Sequence, residues 1–279
     1  MMTGKHSYIG QSIVQYGSKK HRYDAFSLRD PHWQDVSWEG YDVVCHVAGK
    51  AHVSYRQAHA SEYFEVNRDL ALQVAQKAKA EGIKQFILFS TLLVYGESSV
   101  KHKVFNASTS CHPTSPYAQS KWQAEQAITE LQTDTFKVVI LRLPMIYGPD
   151  SKGNYPRLVQ LALRLPVFPK VNNQRSMLYI EDLIRFIIHL IDAQEAGLFV
   201  PQNAHVVSIS QLVQTIRKVH HKKTWLVPGL SPLIHVMMPF SSSMRKMFGT
   251  FVYDTNDSIY AFDYQKTPFD ESIKLSERG

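Results

Sequence analysis

Short apolar runs alternate with longer amphipathic stretches over roughly the first two thirds of the chain, and that alternation limits the folds available. Residues 23–28, 41–48, 85–90 and 138–143 are strand-length and largely apolar, and Pro144 stops the last of them. Between them, residues 62–81 place Phe64, Leu70, Ala71, Val74, Ala75 and Ala78 at helical spacing before Gly82, and residues 116–131 read as a second helix. Strands that are apolar on both faces and separated by helices predict a parallel, doubly wound α/β sheet. Beyond residue 150 the pattern loosens. Helices are expected over 158–165, 179–192 and 209–220 and a strand over 198–200. An irregular apolar remainder runs through Met237, Met238 and Met244 to Phe248, with a turn or linker at Ser241, Ser242 and Ser243. Packing of a small C-terminal lobe explains that remainder better than a membrane-facing surface. The expected division is a nucleotide-binding domain over 1–150 and a smaller substrate lobe over 151–279, with about 176–205 returning to the first domain.

Composition narrows the class. The chain has 279 residues, 44% hydrophobic and 20% charged, with a net charge of +7. These values are those of a globular protein large enough to bury a substantial core. The basic balance reads as a solvated surface or as attraction to an anionic substrate such as a diphosphate. Zinc-finger spacing, an RNP motif and basic runs are all missing, so nucleic acid is not an expected partner. Cys45 and Cys111 give no disulfide framework and point to a reducing compartment. No secretory signal is visible, and no apolar run approaches the ~18 residues of a spanning helix. A cytoplasmic protein with no membrane span is expected. His46, His52 and His59 lack metal-ligand companions at suitable spacing, so they read as structural and no metal site is expected.

The turn Thr3-Gly4-Lys5-His6-Ser7-Tyr8-Ile9-Gly10 opens a helix carrying Ile13 and Val14. Glycines there let the backbone approach a pyrophosphate, and the helix N-terminus supplies N–H groups and partial positive charge. The dinucleotide fingerprint has three glycines, and Ser7 stands at the middle one. Only Met1 and Met2 precede Thr3, so the first strand should be truncated and its hold on a cofactor weakened. After the next strand come Ser27, Arg29 and Asp30. A hydroxyl with a guanidinium suits a 2′-phosphate and favours NADP(H). Asp30 on the ribose would instead leave NAD(H).

Tyr117 and Lys121 lie one helical turn apart, on the same helix face. A phenol ionises near 10 in water, and a cation held beside it would favour the phenolate. Thr91, at the end of the 85–90 strand run, adds a hydroxyl that can orient a substrate oxygen. Together the three residues can move a proton on and off an alcohol or ketone while a hydride moves elsewhere.

With these pieces in place, the chain resembles the extended short-chain dehydrogenase/reductases of the nucleotide-sugar epimerase and reductase kind. The matching segments, in the family's order, are the Thr3–Gly10 turn, His46-Val47-Ala48-Gly49, Val66-Asn67, Ser90-Thr91-Leu92-Leu93-Val94-Tyr95-Gly96 and Tyr117-Ala118-Gln119-Ser120-Lys121. Leu141-Arg142-Leu143-Pro144-Met145-Ile146-Tyr147-Gly148-Pro149 and Arg175 with Tyr179-Ile180-Glu181-Asp182-Leu183 follow. The resemblance implies a Rossmann-like doubly wound sheet with a truncated first strand, plus a small C-terminal α/β lobe.

It implies Tyr117 as general acid/base, Lys121 on the nicotinamide ribose and Thr91 on the reacting sugar oxygen. Gly4, Ser7, Tyr8, Ile9, Gly10, Ser27, Arg29, Ala48, Gly49, Ser90, Pro144 and Ile146 complete the cofactor set. Asn154 and Arg175 join Thr91 as substrate contacts, Arg175 as an arginine gripping a diphosphate. Asn67 and Asp182 read as structural. The space between Asp30 and Tyr41 is too short for the usual strand and helix. Leu92 and Leu93 stand where the family's 4,6-dehydratases carry Asp-Glu, so dehydration is disfavoured. Leu93 also replaces the cysteine of GDP-fucose synthases, which disfavours 3,5-epimerisation. What remains is reduction of a UDP-linked 4-keto-hexose in surface-polysaccharide synthesis, favoured here, or UDP-hexose 4-epimerisation with bound NAD. A non-catalytic binding protein is the further alternative. Helices 62–81 and 116–131 resemble a pair that forms a four-helix interface, so a homodimer is expected.

Overall fold

The computed structural model describes residues 1–51, 60–96, 104–230, 236, 240, 244 and 247–278. The chain divides into two compact units. The first comprises Met1–Gly96, Ser110–Leu143 and Leu183–Pro201, and the second Glu97–Thr109, Pro144–Asp182 and Gln202–Gly279.

In the first unit six parallel strands form one sheet: β1 (Met2–Thr3), β2 (Ala25–Phe26), β3 (Val43–His46), β4 (Gln85–Thr91), β5 (Lys137–Leu143) and β6 (Gly197–Phe199). Their spatial order is β6-β5-β4-β3-β1-β2. From β1 the chain moves outward to β2 and then crosses back to β3 on the other side of β1. The order therefore reverses between β1 and β3, and a ligand crevice opens beyond the carboxyl ends of those two strands. The long strands β4 and β5 bury Phe86, Ile87, Leu88, Val139 and Leu141, as a sheet covered on both faces requires.

β1 is the truncated strand the sequence predicts. Met2 and Thr3 pair with Ala25 and Phe26 on one side and with Cys45 and His46 on the other. Met1 adds to that pairing: its nitrogen donates to the Val43 carbonyl (2.8 Å) and its carbonyl accepts from Cys45 N (2.9 Å). Residues 27–42 pass from β2 to β3 through turns, with no further strand or helix. Trp33 and Trp38 of this segment join the core formed by Val44, Val74 and Ala78. Both are buried, their rings stack at 6.1 Å, and the Lys77 ammonium lies 5.0 Å over Trp38.

The helices of this unit are α1 (Tyr8–Tyr16), α2 (Ala60–Phe64), α3 (Leu70–Ala80), α4 (Pro116–Thr129) and the part of α5 (Ile180–Asp192) from Leu183 onward. The periodicity of residues 62–81 reads as one helix. The chain instead inserts a π-helical turn, Glu65–Asp69, between α2 and α3. Asn67 lies in that turn and is fully buried. Ala71, Val74, Ala75 and Ala78 of α3 share a core with Ala124 and Ile128 of α4 and with Val44, Phe86 and Val138 of the sheet. Small residues on both helices let them sit close to the strands.

The second unit contains three short parallel strand pairs. Val104–Phe105 lies beside Val252–Tyr253, Met145–Tyr147 beside Met177–Tyr179, and Val167–Pro169 beside Trp225–Val227. Its helices include Asn154–Arg164, Ile209–Val219 and Phe269–Ser276, the second opened by a Ser208/Gln211 capping box. The buried Tyr147 hydroxyl bonds Ser272 (2.6 Å) and accepts from Asn203 Nδ2 (2.9 Å). His52, His59, Met237, Met238, Ser241, Ser242 and Ser243 lie outside the described residues. Among the described residues no helix is long and apolar enough to cross a membrane.

Gln85 opens β4 fully buried. Its Nε2 donates to the carbonyls of Leu190 (2.8 Å) and Glu195 (2.9 Å), fastening the end of α5 to the sheet. Gln85→Ala removes both bonds, leaving Leu190 O only the backbone N–H of Glu195 (3.0 Å), and should destabilise the protein by about 1–3 kcal/mol. The change is read as a lowered urea midpoint, and an unchanged midpoint would contradict this reading of the bond pair.

Candidate active site

The crevice between β1 and β3 is built from backbone. Gly4 follows Thr3 with φ +87°, and a Cβ there would sit 3.0 Å from Ala48 N, so the turn needs glycine for conformation and for approach. Ser7 needs no glycine geometry: at φ −75° and ψ 145° it caps α1, its Oγ accepting from Gly10 N at 3.0 Å. A Cβ on Gly10 would fall 2.6 Å from that oxygen, so the serine cap depends on the following glycine. Tyr8 and Ile9 are half-buried in the first turn of α1, which carries no acidic residue. At the end of β3, the buried His46 pairs its Nδ1 with Thr3 Oγ1 (3.0 Å) and stacks on Phe86. Burial, and then the charge of Lys121, push its pKa down to about 3, so it stays neutral. Beyond β2, Ser27 Oγ accepts from Arg29 N (3.3 Å) while Arg29 and Asp30 are exposed.

Thr91, Tyr117 and Lys121 come together where β4 meets α4. Ser115 caps α4 and Pro116 starts it, which fixes where the helix begins and so where Tyr117 points. The Thr91 hydroxyl is within hydrogen-bonding reach of the Tyr117 phenol, and Tyr63 packs edge-on to that ring with centroids 6.1 Å apart. Lys121 is 5% exposed, and its Nζ donates to the Phe89 carbonyl at 2.8 Å. A Cβ on Gly49 would lie 3.1 Å from Asn67 Oδ1 and 3.2 Å from that ammonium, so glycine lets both side chains close against the backbone there.

The electrostatics differ from those the Tyr–Lys spacing predicts. Burial raises the Tyr117 pKa to about 12, and the Thr91 hydrogen bond opposes it. Burial lowers Lys121 to about 8, with Glu125 opposing. The ammonium is spent on Phe89 rather than on the phenol, so desolvation dominates both groups.

Asn67 braces this arrangement. Its Oδ1 accepts from Lys50 N (2.7 Å), and its Nδ2 donates to Lys50 O and to Ser120 Oγ, both at 3.1 Å. The Gly49–Lys50 loop is thereby tied to the residue before Lys121. Sequence reading missed a buried network on the far side of Lys121. Glu125 bonds Ser90 Oγ and receives Arg142 Nε (3.0 Å) and Nη2 (2.7 Å), while Arg142 Nη1 donates to Tyr95 OH (2.7 Å). Two signals could have found it: Glu125 lies four residues after Lys121, and Arg142 interrupts an apolar strand.

The remaining predicted residues lie in the second unit. Pro144 is buried, Ile146 is half-buried and pairs with Leu178, and Asn154 is the exposed first residue of its helix. Arg175 exchanges backbone bonds with Val207 (2.9 and 3.3 Å), and burial lowers its guanidinium to about 10, still charged at neutral pH. Among the described residues no group of three or more His, Cys, Asp and Glu side chains could hold a metal ion.

The first unit fits a dinucleotide. Its crevice sits at the switch in strand order, Gly4 lets the turn after β1 approach Ala48, and α1 begins there with a serine cap and no acidic residue in its first turn. Comparison with known proteins agrees. The family model for the NAD dependent epimerase/dehydratase family matches residues 1–200. A UDP-glucose 4-epimerase of Vibrio cholerae is 30% identical over 238 residues, covering 81% of this chain and 73% of that protein. An N-acetyl-alpha-D-glucosaminyl-diphospho-ditrans,octacis-undecaprenol 4-epimerase of Escherichia coli O157:H7 is 26% identical over 85% of this chain and 69% of its own length. Other relatives carry dehydratase and reductase names. Among solved structures, MoeE5 in complex with UDP-glucuronic acid and NAD superposes with a TM-score of 0.74 at 17% identity, covering 99% of this chain and 96% of that one. Motif order, strand order and family match converge: the chain belongs to the NAD-dependent epimerase/dehydratase family of extended short-chain dehydrogenase/reductases.

Proposed function

We propose that the protein oxidises and reduces C4 of a nucleotide sugar, and that its reaction is 4-epimerisation of a UDP-hexose. The observation that carries this choice is that two relatives, each matching more than 80% of the chain, are 4-epimerases. Sequence alone ranks ketoreduction first, and these relatives support the epimerase reading. Leu92 and Leu93, which cannot exchange protons, stand against the dehydratase names among the other relatives.

The proposed chemistry uses Tyr117, Thr91 and Lys121 as one unit. The nicotinamide, when bound, accepts the C4 hydride and returns it. Tyr117 takes the C4 hydroxyl proton and gives it back, and Thr91 steadies the same oxygen. Lys121 would hold the nicotinamide ribose. With its pKa near 12 the free phenol is protonated at neutral pH, which suits protonation of an alkoxide. To act as base it needs added positive charge nearby, which an oxidised nicotinamide carries. Gly4, Ser7, Tyr8, Ile9, Gly10, Ala48 and Gly49 are the proposed pyrophosphate and adenosine contacts. Pro144 and Ile146 are proposed nicotinamide contacts, and Asn154 and Arg175 substrate contacts. A homodimer through α2, α3 and α4 is the proposed assembly.

Ketoreduction with NADP(H) remains the second reading, and Arg29 favours it. Its exposed guanidinium follows the Ser27 turn beyond β2, where a 2′-phosphate would be received.

Incubation with UDP-glucose or UDP-N-acetylglucosamine and NAD should yield the C4 epimer. Reduction of a UDP-4-keto-6-deoxyhexose by NADPH, without epimerisation of the first two, would overturn the choice in favour of ketoreduction. Binding of neither NADH nor NADPH in a nicotinamide-fluorescence titration would leave a non-catalytic binding protein. Tyr117→Phe should cut turnover roughly 100- to 10,000-fold while cofactor affinity stays nearly constant. Unchanged turnover would remove Tyr117 from the mechanism. Arg29→Ser should weaken NADPH binding and spare NADH, and equal effects on both would remove Arg29 from phosphate recognition.

A further inference from the structure

The buried network behind Lys121 is more than packing. Glu125 and Lys121 are one turn apart on α4, and both are about 5% exposed or less. Glu125 is the carboxylate whose charge acts on the Lys121 ammonium. That carboxylate also faces a second cation, since it receives two hydrogen bonds from Arg142. Arg142 pairs in register with Ser90, so its strand lies directly beside the end of β4. Thr91 is bracketed as a result: Ser90 before it is bonded to Glu125, and Tyr95, closing the turn after it, is bonded to Arg142.

We propose that Glu125 and Arg142 form a positioning pair that holds Thr91 against Tyr117 and sets the charge of Lys121 by sharing one carboxylate between two cations. Its functional meaning rests on the roles given above to Thr91, Tyr117 and Lys121. Its electrostatic part does not, because Lys121 titrates whether or not a ligand is present. The other titratable groups facing the cluster are His46 on β3, which stays neutral, Tyr117 on α4 itself, Tyr95 on the turn after Thr91, and Cys111. Burial raises Cys111 as well as Tyr95. None of them can replace the carboxylate's charge near neutral pH.

The sharing gives opposite signs for the two partners. Removing the carboxylate leaves Lys121 buried without its counter-charge, so its pKa falls. Removing the guanidinium leaves the carboxylate to Lys121 alone, so its pKa rises. A scaffold role alone would give no such opposition. The test is a pH titration of lysine-labelled whole protein, following the Lys121 Cε resonance by NMR, with Lys121→Met used for assignment and no cofactor or sugar added. Wild type should titrate near 8. Glu125→Gln should lower the midpoint by about one unit or more, and Arg142→Met should raise it. Glu125→Asp retains the charge and gives a folded comparison if Glu125→Gln does not fold. It should titrate between wild type and Glu125→Gln, and the Arg142→Met shift then carries the sign test. Midpoints that do not move, or that move in the same direction in the carboxylate and guanidinium variants, would overturn the proposal. Failure of the epimerase reading would leave these midpoints unchanged, so the two claims fail separately.

Discussion

Everything at the candidate site depends on a lysine ammonium held out of water. Lys121 is nearly inaccessible and donates to the carbonyl of Phe89, which fastens α4 to the carboxyl end of β4. Burying a charge is unfavourable unless it is paired and hydrogen-bonded. The surrounding structure meets that need in layers: a carbonyl from β4, a carboxylate one turn further along α4, and a glycine whose missing side chain lets the ammonium pack against the backbone. Tyr117 and Thr91 then fall into place, because the helix and strand that carry them are the two elements Lys121 joins. The phenol in the free protein is half-buried and a weaker acid than in water. Its capacity to act as a base depends on charge brought in with the ligand.

Much of this was legible in the sequence. Unbroken apolar runs of strand length identified the parallel sheet, since only strands covered on both faces lack alternation. The Tyr117–Lys121 spacing placed both residues on one helix, and Met1-Met2 before Thr3 announced a first strand of two residues. Other features depend on tertiary context. The π turn around Asn67 leaves the apolar spacing of α2 and α3 looking like one helix. The paired tryptophans between β2 and β3 have no periodicity. The direction of the Tyr117 shift was missed because helical spacing reports proximity along one face. It does not report how far the neighbouring strands exclude water.

Ser7 shows how a departure from a fingerprint can be tolerated. The middle glycine of the dinucleotide turn leaves space, and Ser7 instead spends its hydroxyl on a helix N–H. The backbone at that point is extended and carries no strain for a side chain. Gly10 then becomes the residue that cannot change, because any Cβ there strikes the capping oxygen. The departure therefore gives the fingerprint's third glycine a second reason to stay, clearance of the capping hydroxyl. Choice of reaction lies elsewhere: the proposed proton-transfer trio would serve epimerisation and ketoreduction alike, and the two differ in whether the cofactor stays bound.

The most direct measurement of the account is the ionisation of Tyr117 itself, read as the phenolate absorbance of wild type minus that of Tyr117→Phe across alkaline pH, in free protein and in protein saturated with NAD. The account predicts a midpoint near 12 in the free protein and a clear fall once the cationic nicotinamide is bound. A phenol that already ionises near neutral pH without cofactor, or one whose midpoint ignores cofactor, would contradict it.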